Sequence, residues 1–403
     1  SIIVGFDKHA VEKEAVAILK KAKIYEQKDQ IGTADAVKTV IEFVDENEKV
    51  LILYGDVPLI RKNTLKKLFS LNDSLSILTT NVSDPSGYGR VLKDSNGLVK
   101  EIIEEKDTNA QQKNIKEIFT GVMAVNGKIL KELIPLINNN NASKEYYLTD
   151  LIGIADSNGF KIETLRVSWE ETLGANTRRE QEKLEQTYRK MKNEELLKKG
   201  ITLIDKNRID VRGELQAGID CTIDINVIFE GKVELGNNVK IGANTIITNT
   251  KIGDNSEILP FSHIDSSHIG KDCFIGPYAR LREGSEIADG ARIGNFVETK
   301  KAKIGQSTKA NHFTYLGDAE IGNDVNIGAG TITCNYDGEN KNKTEIGDGS
   351  FIGTNSSLIA PVTIGKNAYV GAGSTITKDV PDSSLGISRA KQKNIKDWSK
   401  NKK

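Results

Sequence analysis

Between Ile223 and Pro381 an aliphatic residue returns at every sixth position, as in Ile269, Ile275, Leu281, Ile287 and Ile293 and again in Ile346, Ile352, Leu358, Ile364, Val370 and Ile376. Four places after each stands a small or short residue: Cys273, Ala279, Ser285, Ala291 and Val297, then Ser350, Ser356, Val362, Ala368, Ser374 and Val380. Glycine often follows the aliphatic directly, as at Gly270, Gly276, Gly294, Gly353 and Gly365. Offsets of four and six are even, so on extended chain these side chains share one face, whereas a spacing of six does not fit a helix of 3.6 residues per turn. The pattern predicts short strands that each turn a corner and wind into a parallel β-solenoid filled by aliphatic and small residues. A β-sandwich would instead place turns every roughly 8–12 residues with no fixed period.

The first half of the chain has a different rhythm. Ile2-Ile3-Val4 reads as a strand, followed by a helix with Val11, Ala15, Ile18 and Ala22 on one face. A second amphipathic helix aligns Val37, Val40, Ile41 and Val44. The continuous apolar run Val50 to Tyr54 has the form of a strand buried on both faces of a parallel sheet, and it stops at Gly55-Asp56. Alternating strands and helices predict an α/β sheet, whose ligands sit beyond the carboxyl ends of its strands. Asn96-Gly97 marks a tight hairpin between Val91-Leu92 and Leu98-Val99. Asn176 is expected to cap a long Lys/Glu-rich connector helix that ends before Gly200. The organisation read from these patterns is an α/β domain over 1–176, a linker helix over 177–200 and a solenoid with a basic tail over 201–403.

Composition narrows the classes. In 403 residues, Lys plus Arg equals Asp plus Glu at 56 each, so no basic field points to nucleic acid. No apolar stretch is long enough for membrane insertion, and three cysteines without pairing spacing fit a reducing, cytoplasmic setting. The repeat is broken in one region. Lys300, Lys301 and Lys303 crowd a shortened turn, Ala310 replaces an aliphatic beside an outward His312, and a polar insertion from Thr333 to Glu345 separates Ile332 from Ile346. Insertions in solenoids commonly mark the binding face. The tail after Arg389 carries Lys391, Lys393, Lys396, Lys400, Lys402 and Lys403.

Taken together, several motifs resemble one family along nearly the whole chain. They are Leu53-Tyr54-Gly55-Asp56-Val57-Pro58-Leu59, Asp84-Pro85-Ser86-Gly87-Tyr88-Gly89-Arg90, Glu145-Tyr146-Tyr147, Gly294-Asn295-Phe296-Val297-Glu298, His312 to Asp318 and Thr333-Cys334-Asn335-Tyr336-Asp337-Gly338. The chain is similar to the bacterial bifunctional N-acetylglucosamine-1-phosphate uridylyltransferase and glucosamine-1-phosphate N-acetyltransferase enzymes. The resemblance implies a nucleotidyltransferase-like (Rossmann-like) α/β domain followed by a left-handed parallel β-helix, a homotrimer, and acetyl-CoA, UTP and Mg²⁺ as co-substrates and metal. It carries roles to His312 as general base, and to Arg282, Lys300, Tyr315 and Asn326 as sugar-phosphate contacts. Ala329, Asn335, Tyr336, Thr354, Ala372 and Arg389 match the coenzyme site, with Thr354 standing where the family usually has serine. Gln27, Gly32, Thr33, Tyr54, Gly55, Asp56, Gly89, Glu104 and Asn176 match the UDP-sugar site, Asp56 and Asn176 as the metal ligands.

Two departures bear on the uridylyl half. The chain starts at Ser1, where the family's second strand would be, so its Gly-rich phosphate loop is absent from this sequence, and Phe119 stands where the family has a sugar-binding asparagine. Together they lead to the expectation that this chain acetylates but transfers uridylyl poorly or not at all. A nucleotidyltransferase whose β-helix serves only assembly is the alternative; it would need neither His312 nor the lysine cluster. A metal-dependent lyase using His263, His268 and His312 is a further reading, and it requires those rings to converge.

Overall fold

The computed structural model describes residues 1–5, 7–71 and 74–399, so Lys400, Lys402 and Lys403 of the basic tail lie outside the described residues. The chain divides into two compact units, Ser1–Thr187 and Tyr188–Lys403.

In the first unit, β1 (Ile2–Val4) pairs in parallel with β2 (Ile24–Glu26). Between them α1 (Lys8–Ile18) buries none of its residues, and Val11 and Ile18 of its anticipated apolar stripe stay 42% and 79% exposed. The main sheet holds β4 (Leu75–Asn81), β5 (Arg90–Lys93), β6 (Val99–Ile103), β7 (Glu117–Asn126) and β8 (Ile162–Arg166) in the order β6-β5-β7-β4-β8. Alternation along β7 sends Met123 and Val125 to one face, against α4 (Gly127–Leu133) and α5 (Asp150–Ser157). Val122 and Ala124 go to the other, against Leu68 of α3 (Lys62–Phe69).

Three expectations need correction. The apolar run around Val50 forms β3 (Lys49–Ile52), but it pairs antiparallel with β7 and is half-buried at every position. Unbroken apolar sequence reports burial and says nothing of the direction of the neighbouring strand. The second helix is only α2 (Thr33–Lys38), and Ile41 lies in a separate 3₁₀ turn, because the β-branched run Thr39-Val40-Ile41 leaves helical geometry at Val40. Thr177, not Asn176, caps α6 (Arg178–Lys198): its hydroxyl accepts from the Glu180 N–H at 3.2 Å, while the Glu180 carboxylate accepts from the Thr177 N–H at 2.9 Å. That reciprocal pair is a capping box.

The second unit is the left-handed β-helix, 26 strands in one parallel sheet. One inward column can be followed through the register as Ile258, Ile275, Ile293, Ala310, Ile327, Ile352 and Val370. None of these is more than 3% exposed. Each buried isoleucine contributes about 1.5–3 kcal/mol of transfer free energy, so the hexad rule is also the main source of stability. Along one edge, Asp254, Asp289, Asp348 and Asp382 each accept a backbone N–H of the preceding coil at 2.7–2.8 Å. These bonds pull the carboxyls of Asp254 and Asp348 below their ordinary range.

A second edge turns through a residue of positive φ in each coil: Phe261, Tyr278, Phe296, Phe313, Gly330, Asn355 and Gly373. The residues just before them are therefore stacked along that edge, in the order Pro260, Pro277, Asn295, His312, Ala329, Thr354 and Ala372.

Candidate functional site

His312 stands on this second edge, exposed, in the strand Lys309–Gly317. Three of the six coenzyme-matched residues, Ala329, Thr354 and Ala372, follow it along the same edge, one per coil. Hydrogen bonds to their carbonyls tie them in sequence: Asn355 N–H to the Ala329 carbonyl at 2.7 Å, Gly373 N–H to the Thr354 carbonyl at 2.8 Å, and the Arg389 guanidinium to the Ala372 carbonyl at 2.8 Å. The fold thus aligns residues spread from 312 to 389 into one track.

On the face after the edge, Arg282 lies one coil before Lys300, since Leu281 pairs with Thr299. Tyr315 lies one coil further on, paired with Glu298. Both cations are held by carboxylates, Arg282 by Glu298 at 2.8 Å and Lys300 by Glu283 at 3.4 Å. The Lys300 side chain is only 18% exposed, so its ammonium is kept close to the wall. Asn326 sits on the face before the edge, between Lys309 and Phe351. Asn335 is buried and its amide donates to Asp318, anchoring the inserted loop, while Tyr336 remains 60% exposed. The Thr333 hydroxyl accepts from the Gly317 N–H at 2.8 Å, locking the loop's first residues onto the coil that carries Tyr315. Burial raises the Cys334 thiol above its ordinary value, which argues against a thiolate nucleophile.

In the first unit the nucleotide-matched residues also gather. Gln27 donates to the Gly32 carbonyl and to Asp35, both at 2.9 Å. Gly32 has φ +129, and a Cβ there would stand 2.4 Å from the Tyr146 carbonyl, so only glycine lets the Tyr146 backbone pass. The Thr33 hydroxyl accepts from the Leu148 N–H at 2.9 Å. Burial pushes the Tyr54 hydroxyl up to about 12, a shift partly opposed by its hydrogen bond to Thr33. A Cβ on Gly89 would lie 3.6 Å from Glu104 Oε1, and that carboxylate accepts from Thr149 at 2.9 Å. Gly55 and Asp56 follow β3, and the Ala175 N–H donates to the Asp56 carbonyl at 3.2 Å, which brings Asn176 beside Asp56. Phe119 is 5% exposed, and its N–H donates to the Gly89 carbonyl at 2.9 Å.

Residues 4–172 match the family model described as nucleotidyl transferase. Residues 266–301 and 343–378 match the bacterial transferase hexapeptide model, and 218–249 and 232–258 the hexapeptide repeat of succinyl-transferase. The Bifunctional protein GlmU of Idiomarina loihiensis is 51% identical over 376 residues, covering 93% of this chain and 82% of the relative. Those of Saccharophagus degradans and Cellvibrio japonicus are 50% and 49% identical, each over 88% of the relative's length. The chain belongs to the bifunctional GlmU family.

Seen as a GlmU chain, the molecule sets the acetyl-side candidates on one edge and its flanking faces, with Asn335 and Tyr336 on the inserted loop and Arg389 beyond the last strand. His263 and His268 fall on different strands, paired with Arg280 and Glu286, and among the described residues no group of three metal-binding side chains forms. Sequence reading quoted Asn295 and Glu298 within a motif but gave them no role, and passed over Glu283; the Asn295 amide oxygen lies 2.8 Å from His312 Nδ1, and the two carboxylates hold Arg282 and Lys300. The signal available for Asn295 was its spacing of 17 residues from His312, one coil of the solenoid.

Proposed function

We propose that the β-helix transfers acetyl from acetyl-CoA to the amine of glucosamine-1-phosphate, with His312 as general base. The reading is carried by one arrangement: an exposed imidazole at the head of the Ala329–Thr354–Ala372 track, with the cations Arg282 and Lys300 on the face that follows the same edge. The substrate amine is protonated near neutral pH and must shed a proton before it can attack. That first proton passes to solvent; as the neutral amine nitrogen bonds to the thioester carbon, His312 Nε2 takes a second proton from it, and the C–S bond breaks as the tetrahedral intermediate collapses. The imidazolium then returns the proton to the departing thiolate. Such base catalysis is worth roughly 10²–10⁴-fold. Arg282 and Lys300 exchange their carboxylate partners for the sugar phosphate, to which a guanidinium fork and an ammonium are suited. Tyr315 and Asn326 contact the sugar. Asn335, Tyr336 and Arg389 hold the coenzyme, together with the edge track.

The first unit is read as the uridylyltransferase, joining UTP to N-acetylglucosamine-1-phosphate. Gln27, Gly32, Thr33, Tyr54 and Gly55 face the nucleotide, and Gly89 and Glu104 the sugar. The Asp56 carboxylate and the Asn176 amide oxygen, adjacent through the Ala175 bond, are hard donors that fit Mg²⁺, which keeps few protein ligands when phosphates complete its shell. The ion would offset the charge of the triphosphate. Homotrimeric assembly and a cytoplasmic location complete the proposal; among the described residues no helix is long and apolar enough to cross a membrane.

The test is His312→Ala. Thiol release from acetyl-CoA should fall at least 10²-fold while the melting temperature is held. Wild-type turnover would remove the base assignment. Calorimetric binding of CoA separates this reading from a β-helix that serves assembly alone.

A further inference from the structure

We propose that Asn295 is a positioning residue for acetyl transfer: its amide fixes the tautomer and ring orientation of His312, leaving Nε2 bare to take the proton. The inference rests on His312 as base and adds the device that makes its imidazole competent.

Asn295 and His312 are register partners in neighbouring strands, Arg292–Lys300 and Lys309–Gly317. The Asn295 Oδ1 lies 2.8 Å from His312 Nδ1. A carbonyl-type oxygen can only accept, so in the neutral ring Nδ1 carries the hydrogen and Nε2 the lone pair. The backbone reinforces the alignment. A Cβ on Gly294 would stand 1.8 Å from the Asn311 carbonyl, so the two coils approach more closely here than any side chain would permit. Phe296 and Phe313 follow the pair with φ of 55° and 41°, so both residues leave the edge through the same left-handed turn.

The position stands out within the stack from Pro260 to Ala372. Elsewhere the stack runs Pro260, Pro277, Ala329, Thr354 and Ala372, and only the Asn295–His312 step joins two side chains by a hydrogen bond. Side-chain ladders that merely zip coils do occur, as from Arg208 through Asn226 to Asn244 or from Asn238 through Asn255 to Asp272, but neither contains a histidine. Here the ladder partner is the histidine whose strand runs on to Tyr315 and to Gly317, the register partner of Lys300. The His312 carbonyl also accepts from the Thr314 hydroxyl at 2.8 Å, so backbone and ring are fixed separately. Charged and titratable groups around the pair are Arg292, Glu298 and Lys300 on one strand, Lys309 and Tyr315 on the next, and Cys334 in the coil after. Glu298 is engaged by Arg282, which leaves the amide to hold the ring.

The experiment compares Asn295→Ala, Asn295→Asp and His312→Ala in the full chain, by thiol release across pH and by thermal melting. For Asn295→Ala, kcat should drop about 10–100-fold, the usual effect of losing a group that orients a functional histidine, with KM for both substrates within about twofold. Asn295→Asp keeps the acceptor, so it should restore kcat to within a few-fold. Its added charge favours the imidazolium, so the acidic limb of kcat/KM should move to higher pH. A merely structural amide would lower the melting temperature without moving that limb. Full kcat in Asn295→Ala, or an unmoved pH profile in Asn295→Asp, overturns the proposal while an inactive His312→Ala leaves the base assignment standing. An active His312→Ala would overturn the base assignment and this inference with it.

Discussion

A single methyl group at Gly317 tests whether the position of Tyr315 matters to sugar recognition. Gly317 lies two residues after Tyr315 on one strand, and the phenol lies over the space its missing side chain leaves. A Cβ there would stand 2.3 Å from the Tyr315 oxygen and 2.6 Å from Cζ. Ordinary contact is about 3.5–4 Å, so Gly317→Ala must swing the phenol aside by roughly 1 Å. The obstructed atom is the far end of a half-buried side chain, and Gly317 needs no left-handed φ, so the fold should tolerate the change to within about 0.5 kcal/mol. Loss of one neutral hydrogen bond to the sugar, about 0.5–1.5 kcal/mol, corresponds to a roughly 2- to 12-fold fall in kcat/KM for glucosamine-1-phosphate. The assay is thiol release at varied sugar phosphate, with acetyl-CoA saturating and melting recorded in parallel. Tyr315→Phe should lose a similar factor, and the double variant should lose little more than either single one, because both remove the same contact. Additive losses, or a Gly317→Ala variant with unchanged sugar kinetics beside an impaired Tyr315→Phe, would refute the reasoning.

Two further outcomes concern the first unit. Phe119→Asn should tighten calorimetric binding of N-acetylglucosamine-1-phosphate several-fold by supplying an amide beside Gly89, at a stability cost of up to about 3–5 kcal/mol for the emptied core; unchanged or weaker binding would show that Phe119 does not limit the sugar side. Burial pushes the Asp150 carboxyl up to about 6, with Glu104, Asp107 and Glu101 adding to it. Its ionised form is thus disfavoured in the fold, so the unit gains stability from this group as pH falls from above 6 toward 4. Asp150→Asn should raise the melting temperature of that unit at pH 8 and confer little advantage at pH 4.5; an equal effect at both would contradict the sign.

The solenoid was legible because its rule is local. An aliphatic six places from the last, as Ile287 from Leu281, needs no knowledge of distant chain to be placed inside, and the register confirms each step of the column from Ile258 to Val370. The α/β unit was legible only in part, because its pairings are not local. Nothing in Val50-Leu51-Ile52 states that β7 will run antiparallel beside it, and nothing in α1 states which surface its Val11 and Ile18 would cover. The capping error at Asn176 has a simpler cause: two adjacent residues could each cap, and the choice of Thr177 depended on Glu180 three places on.

The acetyl site lies between these extremes. Its members were found as motifs, one by one, but their relation follows from a coil length that the hexad itself supplies. Three hexads make a coil of 17 or 18 residues, so the side chain beside His312 must come from position 295 or 294, and Gly294 has none to offer. The same arithmetic brings Thr354 beneath Ala329 only after the insertion is counted, a step of 25 residues instead of 18. In a coiled ribbon of this kind the neighbour that tunes a catalytic group lies one turn away, not beside it in sequence.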